Sequence, residues 1–244
     1  LRFTRGNLRL QWQQLPEAVA DYEALLALKP DHAMALNNLG SALEQLKRPR
    51  EALVRFEQAL ALRPDYDKAL HNLGGLLLDL KRYPEAIVIL ERLQALNPDY
   101  PNAAGLLGFA RRHACDWTGL EALMARLAAT VAAGGRGDLP FRFLAQSASA
   151  GLQRRCAQTF AREKFPPAEP LWRGERYRHD RIRIAYLSAD FHNHATAFLM
   201  AELLEGHDRQ RFETLAVSFG PPSRHPMRDR LTAAFDRFLD VRAL

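Results

Sequence analysis

The chain has 244 residues, 48% hydrophobic and 25% charged, with a formal net charge of +6. That length buries a real core, and the interleaving of Lys and Arg with Asp and Glu, without an aromatic-studded basic stripe, argues against nucleic acid. No apolar run approaches the roughly 20 residues that cross a bilayer, the N-terminus LRFTRGNLRL lacks a signal-peptide core, and two distant cysteines describe no disulfide framework. The expectation is a cytoplasmic protein that binds no membrane, with Cys115 and Cys156 as small core residues. A first residue that is Leu and a last stretch, DVRAL, without a capping sequence lead us to expect a fragment cut at both ends.

From the N-terminus the sequence repeats every 34 residues: Gly6, Gly40, Gly74 and Gly108; Ala18, Ala52 and Ala86; Pro30, Pro64 and Pro98, each proline followed by Asp. Within one unit Leu36, Leu39, Gly40 and Leu43 fall at helical spacing, then Ala52, Phe56 and Ala59 do so again, which predicts two amphipathic helices per unit. Gly40 and Ala52 let paired backbones approach, and Pro64 fixes the turn. On these residues the segment 1–112 resembles the tetratricopeptide repeat, an α-solenoid with a concave groove. Its first unit is truncated and carries Arg5 where the pattern has Leu.

Asn38 and Asn72 hold the same place in successive units, two residues before the glycine. In the tetratricopeptide superhelices of protein glycosyltransferases this place resembles a ladder of asparagines that bonds the backbone of an extended acceptor. A carboxamide suits that task because it both donates and accepts. The resemblance makes Asn38 and Asn72 acceptor-binding residues; the alternative is that they satisfy neighbouring groups or water. Thr4 and Leu106 interrupt the ladder on either side.

From 113 to 180 the period is lost and helices are expected over Leu120 to Ala133 and Leu144 to Glu163, a helical connector broken at Gly134-Gly135-Arg136-Gly137. No strand precedes that glycine run, and no Lys-Ser or Lys-Thr follows it, so it is not a phosphate loop. Cys115-Asp116-Trp117 reads as packed Cys and Trp with Asp116 capping the next helix, since His113 and Cys115 lack further ligands for a zinc site. The triplet also resembles the junction between repeats and catalytic domain in the O-linked N-acetylglucosamine transferase family.

Beyond 181, strand and helix patterns alternate: strand Ile182 to Ser188, helix Thr196 to Glu205, strand Phe212 to Phe219, helix Pro226 to Ala234, strand Phe238 to Val241. Consecutive βαβ units imply a parallel sheet whose ligands lie at the C-terminal strand ends, so the loops Ala189 to Ala195 and Gly220 to His225 share a functional edge. We expect the first strand to be buried and the following helix to offer unpaired amides to an anion. Asp190 is expected to brace its loop through backbone amides, and His192 to point away from His194 in an extended loop. No carboxylate or third histidine is placed to complete a metal site at His192 and His194.

The run SADFHNHATAFLM resembles the S-x-D-F-x-x-H-P-T-like start of the first Rossmann-like lobe of the same transferase family, a two-lobed GT-B type fold, and FDRFLDV continues the likeness. The resemblance places His194 at the family's active-site histidine and Thr196 at its threonine, a cosubstrate contact. Ala195 replaces a proline common in the family, and Phe198 stands where animal members have a second histidine. It implies three regions, 1–112 repeats, 113–180 connector and 181–244 the first part of the catalytic N-lobe. It also implies an inverting, metal-independent transfer of N-acetylglucosamine from UDP-N-acetylglucosamine to Ser or Thr of protein or peptide acceptors, without a cofactor. The fragment alone is expected to be inactive. Alternatives are a protein O-fucosyltransferase of the same architecture and a non-catalytic repeat scaffold that binds peptides.

Overall fold

The structure, a computed structural model, describes residues 1–242. The chain forms two compact units, Leu1–Ala168 and a second from Glu169 onward. No helix among the described residues is long and apolar enough to cross a membrane.

The first unit is built of helical hairpins. Helices α1 (Arg2–Gln11) and α2 (Leu15–Leu26), α3 (Ala33–Gln45) and α4 (Pro49–Leu62), and α5 (Asp67–Asp79) and α6 (Tyr83–Leu96) pair in turn, and α7 (Ala103–His113) pairs with α8 (Leu120–Ala132). The first helices of successive hairpins, α1, α3, α5 and α7, also touch one another and form the inner layer. The period has a backbone cause as well as an apolar one. Gln13, Lys47, Lys81 and Cys115, spaced one repeat apart, all take left-handed φ between 54° and 61°. The residue after each donates its N–H five residues back, as Gln14 to Arg9, Arg48 to Leu43, Arg82 to Leu77 and Asp116 to Arg111, at 2.8–2.9 Å. These are Schellman closures, which satisfy carbonyls at the end of each first helix.

Inside each hairpin the small residue is needed: a Cβ on Gly40 would sit 2.6 Å from the fully buried ring of Phe56. Leu39, Leu43, Leu70, Leu76 and Leu90 continue this core from one repeat to the next. Arg5, the misfit of the first unit, has a partner, because buried Asp21 accepts from its Nε at 2.9 Å and from Arg9 at 2.8 Å. The Arg5 hydrogen bonds, opposed by burial, hold the Asp21 carboxyl below the usual carboxylate range.

The helix expected over Leu144 to Glu163 is two, α9 (Pro140–Leu144) and α10 (Ala150–Lys164), because Ser149 caps the second by accepting from Leu152 N at 3.3 Å. Both lie in the first unit. The glycine run returns to α7, with Asn102 N bonded to Arg136 O at 2.7 Å and Gly105 N to Gly137 O at 3.2 Å. Asp138, buried against α7, accepts from Arg142 Nε at 2.5 Å and from Gln146 Nε2, and burial nevertheless raises its carboxyl. Cys156 donates to Asp138 O at 3.2 Å, and its thiol is pushed up to about 11 by burial, so it is a packed and inert cysteine.

Cys115 is exposed, contrary to expectation, since it fills the left-handed turn position that Lys47 and Lys81 hold on the surface of earlier repeats. Trp117 is likewise exposed. Asp116 bonds Thr118 N at 3.0 Å within the turn and does not cap α8, whose cap residue is Gly119.

The second unit is a three-stranded parallel sheet in the order β1 (Ile182–Ser188), β2 (Phe212–Ser218), β3 (Arg237–Asp240). Ile182 pairs with Phe212 and Ser188 with Ser218, while Ala216 pairs with Phe238 and Ser218 with Asp240. The crossovers α11 (Ala195–Glu205) and α12 (Pro226–Ala234) pack together over Ala216, with Phe191, Ala201, Leu204, Met227 and Leu231 as their core. The expectation of a buried β1 fails. Leu187 is 67% exposed because both crossover helices cover the opposite face, which carries Tyr186, and Ile182, on the Tyr186 face, is 59% exposed at the start of an edge strand. The run of apolar residues in β1 is that of a strand meant for cover on both faces, as parallel strands normally are.

Candidate functional site

In the second unit the loops that follow β1 and β2 meet at the C-terminal strand ends. Phe219 N donates to Ser188 O at 3.2 Å, and a Cβ on Gly220 would fall 1.6 Å from Ala189 O. No residue with a side chain permits that approach, so the glycine is set by the neighbouring loop rather than by its own turn.

The β1 loop is tightly folded, not extended. His192 N bonds Asp190 O at 2.7 Å and His194 N bonds His192 O at 2.8 Å, two successive three-residue turns. The His192 and His194 rings lie 5.7 Å apart between centroids at an interplanar angle of 68°, so His192 does not point away from His194 as expected; alternate residues share a face even in an extended loop. His194 itself caps α11. Its Nδ1 accepts from Thr196 N at 3.2 Å, and its carbonyl accepts from Ala197 N at 3.0 Å and Phe198 N at 3.3 Å. Of the first-turn amides expected to be open to an anion, those of Thr196 and Ala197 are therefore taken by His194. Thr196 Oγ1 lies 3.1 Å from the same Nδ1, and Asp190 Oδ2 lies 3.6 Å away. Asp190 faces the imidazole where backbone amides had been expected as its partners.

This arrangement constrains the chemistry of the ring. A nitrogen that accepts from a backbone N–H carries no proton, so the neutral imidazole holds its proton on Nε2 and donates there. Moving the proton to Nδ1 frees Nε2 to accept, with Thr196 Oγ1 or Asp190 as the partner for Nδ1–H. The ring is 45% exposed, open enough to meet a ligand.

Two residues that sequence reading passed over belong to this edge. His225 repeats the design of His194: its Nδ1 accepts from Met227 N at 3.1 Å and caps α12, ahead of Pro226. A His-Pro pair opening a predicted helix was the signal. Arg228 ties the edge together by donating to Phe191 O at 2.9 Å, Ser218 Oγ at 2.7 Å and Asp240 Oδ2 at 3.0 Å, one contact each to the loop after β1 and to the ends of β2 and β3. Its guanidinium also lies 4.4 Å over the Phe238 ring. Arg242 and then Arg228 hold the Asp240 carboxyl down to about 2.

In the first unit Asn38 and Asn72 lie half-buried on the inner layer, and each bonds across repeats. Asn38 Nδ2 donates to Asn7 Oδ1 at 2.9 Å and its Oδ1 accepts from Asn37 at 3.2 Å. Asn72 Nδ2 donates to Asn37 Oδ1 at 3.0 Å and to Ser41 Oγ at 3.2 Å. By count of capacities Asn38 retains one N–H and Asn72 retains its carbonyl oxygen, a donor and an acceptor on neighbouring repeats. Beside Asn72 a hollow of about 320 Å³ is lined by Glu44, His71, Asp79, Phe109 and Arg142. Burial, then Asp79, raises the Glu44 carboxyl, and burial followed by Arg142 lowers the His71 imidazole.

A helical-hairpin solenoid joined in one chain to a parallel βαβ segment defines a repeat protein carrying an α/β lobe. Residues 3–53 and 43–108 match two tetratricopeptide-repeat profiles, and residues 167–244 match glycosyl transferase family 41. Over those residues the chain is similar to tetratricopeptide repeats in its first unit and to glycosyl transferase family 41 in its second. Over 64 residues it is 33% identical to a probable UDP-N-acetylglucosamine–peptide N-acetylglucosaminyltransferase SEC of Arabidopsis thaliana, a match covering 26% of this chain and 7% of that protein. Among solved structures, an O-GlcNAc transferase mutant of Thermobaculum terrenum aligns over 100% of this chain and 41% of its own, at 23% identity and a TM-score of 0.47. A MamA RS-1 ArsTM double mutant aligns over 66% of this chain and 92% of its own, at 20% identity and a TM-score of 0.50. The chain spans less than half the length of the two transferases it matches.

Proposed function

We propose that the chain is the acceptor-binding and lobe-opening part of a protein O-glycosyltransferase. In this reading the intact enzyme moves N-acetylglucosamine from UDP-N-acetylglucosamine to Ser or Thr with inversion and without a metal or cofactor, in the cytoplasm, and the present segment does not turn over alone. The observation that supports it best is the order of parts: peptide-binding repeats precede a family 41 segment whose His194 stands at the C-terminal edge of a parallel sheet.

The chemistry to be served is removal of a proton from an acceptor hydroxyl and stabilisation of charge on a departing diphosphate. With Nδ1 capping α11, His194 Nε2–H donates to an oxygen of the sugar or phosphate. With the proton on Nδ1, held by Thr196 or Asp190, the same Nε2 accepts from the acceptor hydroxyl. Thr196 serves both states by positioning the ring, and this adds a role to the cosubstrate contact that the family likeness implies.

The acceptor half rests on Asn38 and Asn72. Their spare donor and spare acceptor match one peptide unit, which recognises main chain without reading side chains. Replacing both by Ala is expected to raise KM for peptide acceptors roughly 30-fold, at about 1 kcal/mol for each lost hydrogen bond, with donor hydrolysis unchanged. An unchanged KM together with a lowered Tm would instead mean that the two residues only tie the repeats to one another.

A further inference from the structure

The crevice enclosed by α6, α7 and α8 departs from its predecessor in a way that the repeat does not require. One repeat earlier, a crevice of about 460 Å³ among α4, α5 and α6 is lined by Leu60, Leu77, Glu85 and Val88. Shifted by the 34-residue period, the same places hold Gln94, Arg111, Gly119 and Ala122 around a crevice of about 450 Å³. Two leucines have become a carboxamide and a guanidinium while the space between the helices is kept.

Gln94 is 7% exposed, and neither its Nε2 nor its Oε1 has a hydrogen-bond partner among the described residues. Arg111 binds Glu91 and Thr118 O through its terminal nitrogens, but its buried Nε makes no hydrogen bond and lies 3.6 Å from Asp116. Arg126 lines the same crevice and has no ion-pair or hydrogen-bond partner for its guanidinium among the described residues, whereas its counterpart Arg92 donates to Pro64 O. Buried polar atoms left unpaired are costly, and leucine at this position is what the preceding repeat uses. A carboxamide is matched in full by a group that accepts and donates side by side, which is another amide. The free cation of Arg126 adds a preference for negative charge next to it.

We propose that this crevice is a binding site for an amide group flanked by a carboxylate. The amide has two sources, a peptide main chain or a side-chain carboxamide. The site is separate from the Asn38 and Asn72 groove and does not depend on the proposed glycosyl transfer.

The test is a titration of the isotope-labelled chain, followed at the Gln94 side-chain NH2 resonances. N-acetylglycine presents a main-chain amide with a carboxylate, succinamate a primary carboxamide with a carboxylate, and acetate the carboxylate alone. Saturable shifts with one or both amides and none with acetate are expected, the tighter probe naming the source. Gln94→Leu and Gln94→Met should fold with an unchanged or raised Tm and bind roughly tenfold more weakly or not at all. Absence of saturable shifts with both amides, or equal binding by the folded variants, would overturn the proposal. An ordered water bridging the Gln94 amide without response to either probe would overturn it as well.

Discussion

Replacing His194 by alanine in the full-length protein is expected to lower glycosyl transfer about 10²- to 10⁴-fold, the range of a lost acid–base group, while peptide binding by the repeats is unchanged. The reason is local. The ring fixes the start of α11 through Thr196 N, and its Nε2 is the nitrogen left for a ligand at the strand ends. Losing the cap costs only about 1 kcal/mol, so folding survives and the activity loss reports on chemistry. Asn in place of His194 separates the two roles, since its side chain can still cap the helix but cannot titrate. Restored stability without restored transfer is the expected pattern. Full transfer by the alanine variant would show that His194 takes no part in the chemistry.

Gly220→Ala is expected to damage the same edge from the opposite side. The added Cβ would lie 1.6 Å from Ala189 O and 2.5 Å from its carbonyl carbon, and both are backbone atoms. Relief requires the β1 and β2 loops to part, which breaks the bond from Phe219 N to Ser188 O and strains the bond from Arg228 to Phe191 O. Overpacking against backbone costs about 3 kcal/mol, a large share of what a small lobe holds. Transfer should fall with the melting of the lobe, and the tetratricopeptide unit should keep its helical signal. A variant with normal Tm and normal transfer would show that the two loops do not need to touch.

Much of the architecture was written in the chain. The 34-residue period is legible because the first helix of each hairpin ends in the same Schellman turn, and Gly40 marks a contact that any side chain would obstruct. The three strands and their parallel order followed from alternating apolar runs, within one or two residues of the observed ends. What sequence could not show was where side chains turn. Asp190, His192 and His194 are alternate residues and share a face even in an extended loop, which the expectation for His192 missed; the two tight turns that set their distances leave no mark on the sequence pattern. Cys115 looked like a core residue by type, yet its place in the turn puts it outside. Arg228 is one arginine among many, and only the assembled sheet shows that it reaches the β1 loop and the ends of β2 and β3 together. Arg5 looked like an error in the repeat until Asp21 was seen to face it.

In the proposed function the chain belongs to an enzyme that uses UDP-N-acetylglucosamine, with acceptors delivered by the solenoid. The direct measurement is to incubate the full-length protein with a Ser- and Thr-containing peptide and, in separate reactions, radiolabelled UDP-N-acetylglucosamine or GDP-fucose. Label on peptide hydroxyls from UDP-N-acetylglucosamine, lost in the His194→Ala variant, is the predicted result. Label from GDP-fucose alone, or from neither donor while the peptide still binds, would contradict it.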